Sequence, residues 1–168
     1  MATSMPGDVV DTSSKPLEES TTFHAVRVDE MATDELIRMS RSGCGWACPA
    51  YTLSFFRDGT IVFNGRSHTA VSGEQRSRIS EAAVADLLRE LQQQLPGLAK
   101  RYTPDSKDCG PMFTDQATTK LSARLQQGLV TAERYGGCPA APKTLAALEK
   151  KADAVAGSDL WVSNRPAY

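Results

Sequence analysis

Four cysteines are the residues of this 168-residue chain whose chemistry depends most on their spacing. Cys44 and Cys48 stand close together in the stretch RSGCGWACPAY, while Cys109 and Cys138 lie much further along the chain. Four kinds of chemistry are open to them: a zinc site, a redox pair, a catalytic thiol, or disulfide bridges. The neighbouring residues must distinguish these alternatives.

The first three alternatives lack partners in the sequence. A structural zinc site usually offers two close pairs of ligands, and only one close pair is present. The C-x-x-C spacing of a redox pair is absent, because three residues separate Cys44 from Cys48. A catalytic thiol needs a base, and of the two isolated histidines, His24 and His68, only His68 could serve. The sequence does not exclude these three alternatives, but it favours none of them. We therefore predict no metal, no cofactor and no catalytic residue.

Disulfides are favoured because the cysteine count is even and the domain is small. Cys109 and Cys138 flank a predicted hairpin, whose outer ends return to the same place. The Cys109–Cys138 bridge would stabilise the fold by about 3–4 kcal/mol and a Cys44–Cys48 bridge by about 2 kcal/mol at most, in the chain-entropy model. The short loop would then present Trp46 to solvent, unless that side chain folds under as part of the core.

The elements that must position these cysteines are predicted from local patterns. The clearest is 51–66, where two β-rich runs flank the hairpin pair Asp58-Gly59. Further strands are predicted within 34–43 and 69–79, the latter with a bulge at Gly73. Residues 23–28 are either a short strand or part of the tail's docking onto the domain. A second hairpin is formed by 119–125 and 129–135. The residues predicted to face the core from the two hairpins are Leu53, Phe55, Ile61, Phe63, Leu121, Ala123 and Leu125.

Two amphipathic helices follow from apolar spacing. The first runs over 81–95, with Ser80 as N-cap and Pro96-Gly97 as its end. The second begins with Pro142 at its first position and stops at Gly157. Their predicted buried stripes are Val84, Leu87, Leu88, Leu91 and Leu95, and Leu145, Leu148, Ala152 and Val155.

The order strand meander, helix, hairpin, helix predicts an α+β fold, a two-layer sandwich with helices on one face of a mostly antiparallel sheet. Trp161 and Val162 are expected to pack the chain end against the core. Residues 1–22 are rich in Ser, Thr, Pro and acidic side chains and are predicted to be a flexible tail. Residues 23–168 then form a single domain.

Composition excludes several classes of partner. The chain has 19 basic and 20 acidic residues, and no basic stripe that would meet nucleic acid. No apolar run is long enough to span a membrane, and no export signal is visible at the N-terminus. The tail could be the tether that remains after a signal or lipid-anchor segment is removed, or a cytoplasmic N-terminus.

Several segments together resemble a bacterial family of domains of unknown function. They are C-G-W-A-C-P-A-Y at the first cysteine pair, T-D-Q-A-T-T-K-L-S, R-Y-G-G-C-P-A-A-P-K, and a terminal L-W-V. The resemblance spans about residues 35–162. It implies a secreted or lipid-anchored envelope protein and carries no activity with it.

Candidate binding residues lie in the loops. Asp115 could be a catalytic carboxylate, although it and Thr114 more commonly cap backbone amides in such loops. Tyr51, Tyr102 and Tyr135 could line a groove, although half-buried tyrosines are common. With Trp46 and Asp115, these tyrosines are the predicted partner-binding residues.

Two hypotheses about function follow. In the first, the chain is a non-enzymatic, disulfide-stabilised interaction module of the periplasm or outer envelope that binds another protein, for example as an inhibitor or immunity protein. In the second, it is a small hydrolase or ligand-binding domain that uses Asp108 or Asp115 near His68. The absence of a recognisable nucleophile and base favours the first hypothesis.

Overall fold

Three helices and seven strands make up the part of the chain that the computed structural model describes, residues 30–163. The strands are β1 Glu35–Arg41, β2 Ala50–Phe56, β3 Thr60–Ser67, β4 Gly73–Arg78, β5 Arg101–Tyr102, β6 Thr118–Leu125 and β7 Gly128–Tyr135. The helices are α1 Glu81–Leu98, α2 Lys143–Ala156 and α3 Asp159–Val162. The predicted tail, residues 1–22, and the segment 23–28, predicted as a strand or as part of the tail's docking, lie outside the described residues.

All seven strands form one sheet, in the order β4-β3-β2-β1-β6-β7-β5. Every pairing is antiparallel except that of β5 with β7. The predicted α+β fold with a mostly antiparallel sheet is therefore confirmed. The two-residue strand β5 was not predicted, because Arg101 and Tyr102 carry no alternating pattern that marks a strand.

The hairpin of β2 and β3 has the predicted register, with Leu53 opposite Phe63 and Phe55 opposite Ile61. These four side chains are fully buried on the face that the helices cover. The predicted bulge at Gly73 is wrong: Gly73 opens β4 with a positive φ of 78° and pairs in register with Gly65.

Helix α1 begins as predicted, because the Ser80 hydroxyl accepts a hydrogen bond from the Ala83 amide. It continues past the predicted end, with Pro96 inside its last turn. A proline there removes one backbone bond, but Leu98 beyond it packs against the core, and this contact favours the extra turn.

Helix α2 starts one residue later than predicted, with Pro142 as its N-cap and Lys143 as its first helical residue. Gly157 ends it in the left-handed conformation, as predicted. Trp161 packs against Phe63 with ring centroids 5.2 Å apart, which confirms that the chain end joins the core. Within the described residues, no helix has both the length and the apolar character needed to span a bilayer.

The glycines of the two hairpin turns allow a matched test of how much each one contributes to the stability of the fold. Gly59 and Gly128 both have positive φ, 86° and 112°. A Cβ on Gly59 would lie 2.1 Å from the Ile79 carbonyl oxygen, whereas one on Gly128 would meet open space. We expect Gly128→Ala to cost about 1–2 kcal/mol of unfolding free energy through backbone strain alone, and Gly59→Ala about 3 kcal/mol or more. Urea unfolding measures both, and equal losses would contradict the steric argument.

Candidate functional site

The loops that carry the four cysteines all lie at one end of the sheet. Strand β1 ends there and β2 begins there, since Arg41 pairs with Tyr51. On the other side of β1, Arg41 pairs with Thr119 of β6, and Thr119 pairs with Arg134 of β7. The loops 42–49, 103–117 and 136–142 therefore leave the sheet at the same end. We call this end the bridge end, because both disulfides lie there.

The two bridges join Cys44 to Cys48 and Cys109 to Cys138, with Cα separations of 5.4 and 4.5 Å. This is the pairing favoured from the sequence. The first bridge closes the loop between β1 and β2, and the second ties the segment before β6 to the segment that follows β7. All four sulfurs are bonded to each other, so none is available as a zinc ligand or a catalytic thiol.

Large apolar side chains are exposed at the bridge end. Trp46 is 79% exposed and Phe113 is 67% exposed, and Met112 beside it is also exposed. The structure therefore presents Trp46 to solvent instead of using it as a core side chain. Because burial of large apolar side chains is a main driving force of folding, their exposure together is unusual for a surface without a partner.

Main-chain hydrogen bonds hold the loops at this end in place. The Phe113 amide donates to the Gly137 carbonyl at 2.9 Å, and the Gly136 amide donates to the Ala117 carbonyl at 2.8 Å. Gly137 permits this close approach, since an added Cβ would lie 2.0 Å from the Phe113 carbonyl oxygen. The loop that carries Phe113 is thus fixed to the segment that carries Cys138.

The loop of the first bridge contacts the Phe113 loop. Ser42 and Thr118 exchange two hydrogen bonds, each of 2.9 Å. The Asp115 carboxylate lies against Gly45, where an added Cβ would come within 2.6 Å of its oxygen. Trp46 and Phe113 are therefore carried by two adjoining loops.

The predicted partner-binding residues divide between surface and interior. Trp46 and Asp115 are exposed and Tyr135 is half-buried. Tyr51 and Tyr102 are buried, at 3% and 6% exposure, so the structure corrects their placement in a surface groove. Sequence reasoning could not separate them, because alternation in a strand does not tell which tyrosines the helices cover.

The expected backbone caps from Thr114 and Asp115 are also not observed. Asp115 accepts a long hydrogen bond of 3.5 Å from the Thr114 hydroxyl. The next amide, that of Gln116, donates to the Tyr135 hydroxyl at 3.1 Å instead. Asp115 has a positive φ of 60°, a conformation that Asp adopts more readily than most residues.

The residues of the hydrolase hypothesis, His68, Asp108 and Asp115, form no hydrogen bond or ion pair with one another in the described part of the chain. His68 is exposed just after β3, with a positive φ of 52°. Within residues 30–163, no hydrogen bond or ion pair links it to a carboxylate. Asp108 is half-buried after a turn in which its amide donates to the Ser106 hydroxyl.

A buried network of charged side chains lies beneath the bridge end, and the sequence analysis missed it. Glu149 of α2 is 1% exposed and receives hydrogen bonds from the Arg134 guanidinium at 2.5 to 3.2 Å. Asp153, one turn further along α2, accepts from Arg41 at 2.7 Å and from the Tyr51 hydroxyl at 2.7 Å. The network therefore fastens α2 to β1, β2 and β7.

Further hydrogen bonds complete the network. The Ser158 hydroxyl donates to Asp153 at 2.7 Å, and Arg41 donates to the Tyr51 and Thr119 hydroxyls at 2.9 and 2.8 Å. Among the described residues, every buried side-chain nitrogen and oxygen has a hydrogen-bond partner. The network thus meets the condition under which buried charges are tolerated.

The network raises the pKa values of two of its members, Arg41 and Tyr51. Burial raises the pKa of the Tyr51 hydroxyl, and the Asp153 carboxylate raises it further, while Arg41 opposes them. Burial by itself lowers the pKa of Arg41, but Asp153, Tyr51 and Glu149 outweigh that effect and raise it. Arg41 therefore stays charged and Tyr51 stays neutral at physiological pH.

Glu149 could have been found from the helical pattern. It lies four residues after Leu145 and three before Ala152, within the apolar stripe of α2. A carboxylate at such a position needs a buried cationic partner. The pattern does not say which arginine that is, because Arg134 comes from another element.

One groove lies away from the bridge end. It has a volume of about 290 Å³ and lies between α1 and the turn that joins β6 to β7. It is lined mainly by apolar surface, with Leu88, Gln92, Arg124 and Leu125 among its residues. No residue singled out in the sequence for binding lies in it.

Two bridges on an α+β domain are typical of proteins in oxidising, extracytoplasmic compartments. The features above thus fit a disulfide-stabilised domain of the extracellular type. A family described as a domain of unknown function (DUF6438) matches residues 35–156, and the chain belongs to that family. This confirms the resemblance drawn from the sequence motifs. No match to a curated protein was found.

The ion pair of Glu149 with Arg134 is expected to matter far more than an exposed pair. Glu149→Gln keeps the shape but leaves two partly buried arginines with one carboxylate between them, at a cost of about 3 kcal/mol of unfolding free energy. Asp86→Asn, which removes the exposed pair with Arg89, should cost less than about 0.5 kcal/mol. Denaturant unfolding at neutral pH measures both losses. Similar small losses would show that the network contributes little.

Tyr51 should make the fold sensitive to alkali. Since its pKa is higher in the folded chain than in the unfolded one, its contribution is intact below about pH 10 and declines as the pH rises above that value. We expect Tyr51→Phe to reduce the fall in unfolding free energy above pH 10 by up to about 1.4 kcal/mol per pH unit. Urea unfolding at a series of pH values tests this, and identical slopes for both proteins would contradict it.

Proposed function

We propose that this chain is a non-enzymatic interaction module of the bacterial cell envelope, which binds another protein through the bridge end. The observation that carries the proposal is the exposure of Trp46 and Phe113 on two adjoining loops that disulfides and main-chain hydrogen bonds hold in place. Aromatic side chains are the commonest anchors of protein interfaces. Loops that are already ordered lose less conformational entropy when a partner binds.

The composition of the bridge end supports a protein as the partner. Its exposed residues include Trp46, Phe113, Met112, and the prolines Pro111 and Pro139. The loops 42–49 and 136–142 have no charged side chain, and the loop 103–117 carries three aspartates and one lysine. A surface without a cluster of basic residues argues for a protein partner over a polyanion such as nucleic acid. A role as an inhibitor or immunity protein would suit a rigid surface of this kind.

A non-enzymatic role is supported by the separation of the candidate catalytic groups. His68 is exposed and, in the described part of the chain, has no bonded carboxylate that would orient it. The buried charged side chains around Glu149 are bonded to one another and fasten a helix. A periplasmic or outer-envelope location is supported by the two bridges, which persist in oxidising compartments.

Substitution of the exposed aromatic residues tests the proposal. We expect Trp46→Ala or Phe113→Ala to weaken partner binding by about 2 kcal/mol or more, roughly thirtyfold in Kd. Leu129→Ala is the matched control, because Leu129 is also an exposed apolar residue but lies at the start of β7, at the opposite end of the sheet. The immobilised proteins would be exposed to bacterial envelope extract, and the captured partner would then be purified for titration.

The outcome is decided by comparison among the variants. A partner that is lost with Trp46→Ala and Phe113→Ala but kept with Leu129→Ala supports the bridge end as the interface. A set of captured proteins that neither aromatic substitution changes would overturn the proposal. Circular dichroism should show all three variants folded, since each side chain is exposed.

A further inference from the structure

The two bridges differ sharply in how accessible they are. Cys109 and Cys138 are buried, at 2% and 5% exposure, and belong to the hydrophobic core. Cys44 and Cys48 are half-buried, and the three residues between them are all exposed. Thiol–disulfide exchange requires an attacking thiolate to reach a sulfur atom. The first bridge offers that access in the folded chain, whereas the second requires local opening.

The first bridge can also be broken while the strands on either side of it stay paired. It closes a loop of five residues between β1 and β2, which remain paired through Arg41 and Tyr51. The second bridge spans 29 positions and joins two separate segments of the domain. Because a short loop contributes less to the stability of the fold than a long one, loss of the first bridge destabilises the domain less than loss of the second.

One hydrogen bond distinguishes the two sulfurs of the first bridge. The Trp46 amide donates to the Cys44 sulfur at 3.4 Å. A backbone amide in that position stabilises negative charge on the sulfur, which makes Cys44 the better leaving group. An incoming thiolate therefore attacks the sulfur of Cys48.

We infer that the Cys44–Cys48 bridge is a thiol–disulfide exchange site for a dithiol reductant, and that the Cys109–Cys138 bridge is structural. A thiolate of the reductant bonds to the Cys48 sulfur, and the electron pair of the broken bridge goes to Cys44, which takes a proton from water. In this mixed disulfide the reductant's first sulfur is bonded to Cys48. The second thiol of the reductant, as a thiolate, then attacks that first sulfur. Cys48 leaves and is protonated, so the protein gains two electrons and two protons while the dithiol becomes a disulfide.

Reduction acts on the loop that carries Trp46 and not on the fold beneath it. Once the ring is open, Trp46 is held through the ends of the loop 42–49 and the contact of Gly45 with Asp115, without the covalent closure. The pairing of β1 with β2 and the contacts of Asp153 with Arg41 and Tyr51 persist. This inference does not depend on the proposed function, because it concerns the chemistry of the bridge alone.

Graded reduction of the native protein tests the order of the two bridges. The folded chain would be treated with dithiothreitol for increasing times, alkylated, and mapped by peptide mass spectrometry. We expect Cys44 and Cys48 to be alkylated about tenfold or more faster than Cys109 and Cys138, with unchanged circular dichroism. Equal rates, earlier labelling of Cys109 and Cys138, or labelling only as the circular dichroism signal is lost would overturn the inference.

Two further measurements test the direction of attack and the release of the loop. A brief pulse of glutathione, a monothiol, should leave its adduct on Cys48, and an adduct mainly on Cys44 would overturn the leaving-group assignment.

In a Trp161→Phe background, Trp46 is the one tryptophan that remains. Its fluorescence anisotropy should fall on reduction and be low from the start in the Cys44→Ser/Cys48→Ser variant, and an unchanged anisotropy would contradict loop release.

Discussion

The ion pair between the buried Glu149 and Arg134 determines where helix α2 lies on the sheet. A carboxylate that is 1% exposed cannot be tolerated without a cationic partner, because its desolvation costs several kcal/mol. Apolar contacts alone would allow the helix to slide or rotate on the sheet, whereas a forked guanidinium on a carboxylate permits one position. With Asp153 bound to Arg41 and Tyr51 one turn further on, the helix is fixed at two points.

The same ion pairs and hydrogen bonds also fix the strand ends next to the surface loops of the bridge end. Arg41 is the last residue of β1 and Tyr51 is the second residue of β2, so they lie on the two sides of the loop of the first bridge. Arg134 lies just before Tyr135, the last residue of β7. The same charged groups that fasten α2 thus hold the starting points of the loops that carry the exposed aromatic residues. These charged groups are bonded to one another beneath the surface, and the exposed aromatic residues lie on the loops above them.

Much of the fold could be predicted because its determinants are local. Asp58-Gly59 specifies a turn, Ser80 caps a helix, Gly157 ends one, and the apolar stripes of both long helices appear at helical spacing. The end of α1 could not be predicted in this way. Proline usually ends a helix, but here the burial of Leu98 beyond it favours one more turn. Similarly, Pro142 caps α2 instead of starting it, a difference of one residue that local patterns cannot resolve.

The candidate site depended on pairings between distant residues, and there the sequence was less informative. The cysteines could be paired because the hairpin between Cys109 and Cys138 brings its own ends together. Tyr51 looked like a surface residue because its partner Asp153 stands 102 positions away. Trp46 could not be placed by its residue type, since tryptophan is usually buried. The structure places Trp46 in solvent, while the other tryptophan, Trp161, packs against Phe63, with which Tyr51 also stacks. A large apolar side chain that a closed five-residue loop holds in solvent has no role in the core, and this exposure is what supports the interface with another protein that we propose.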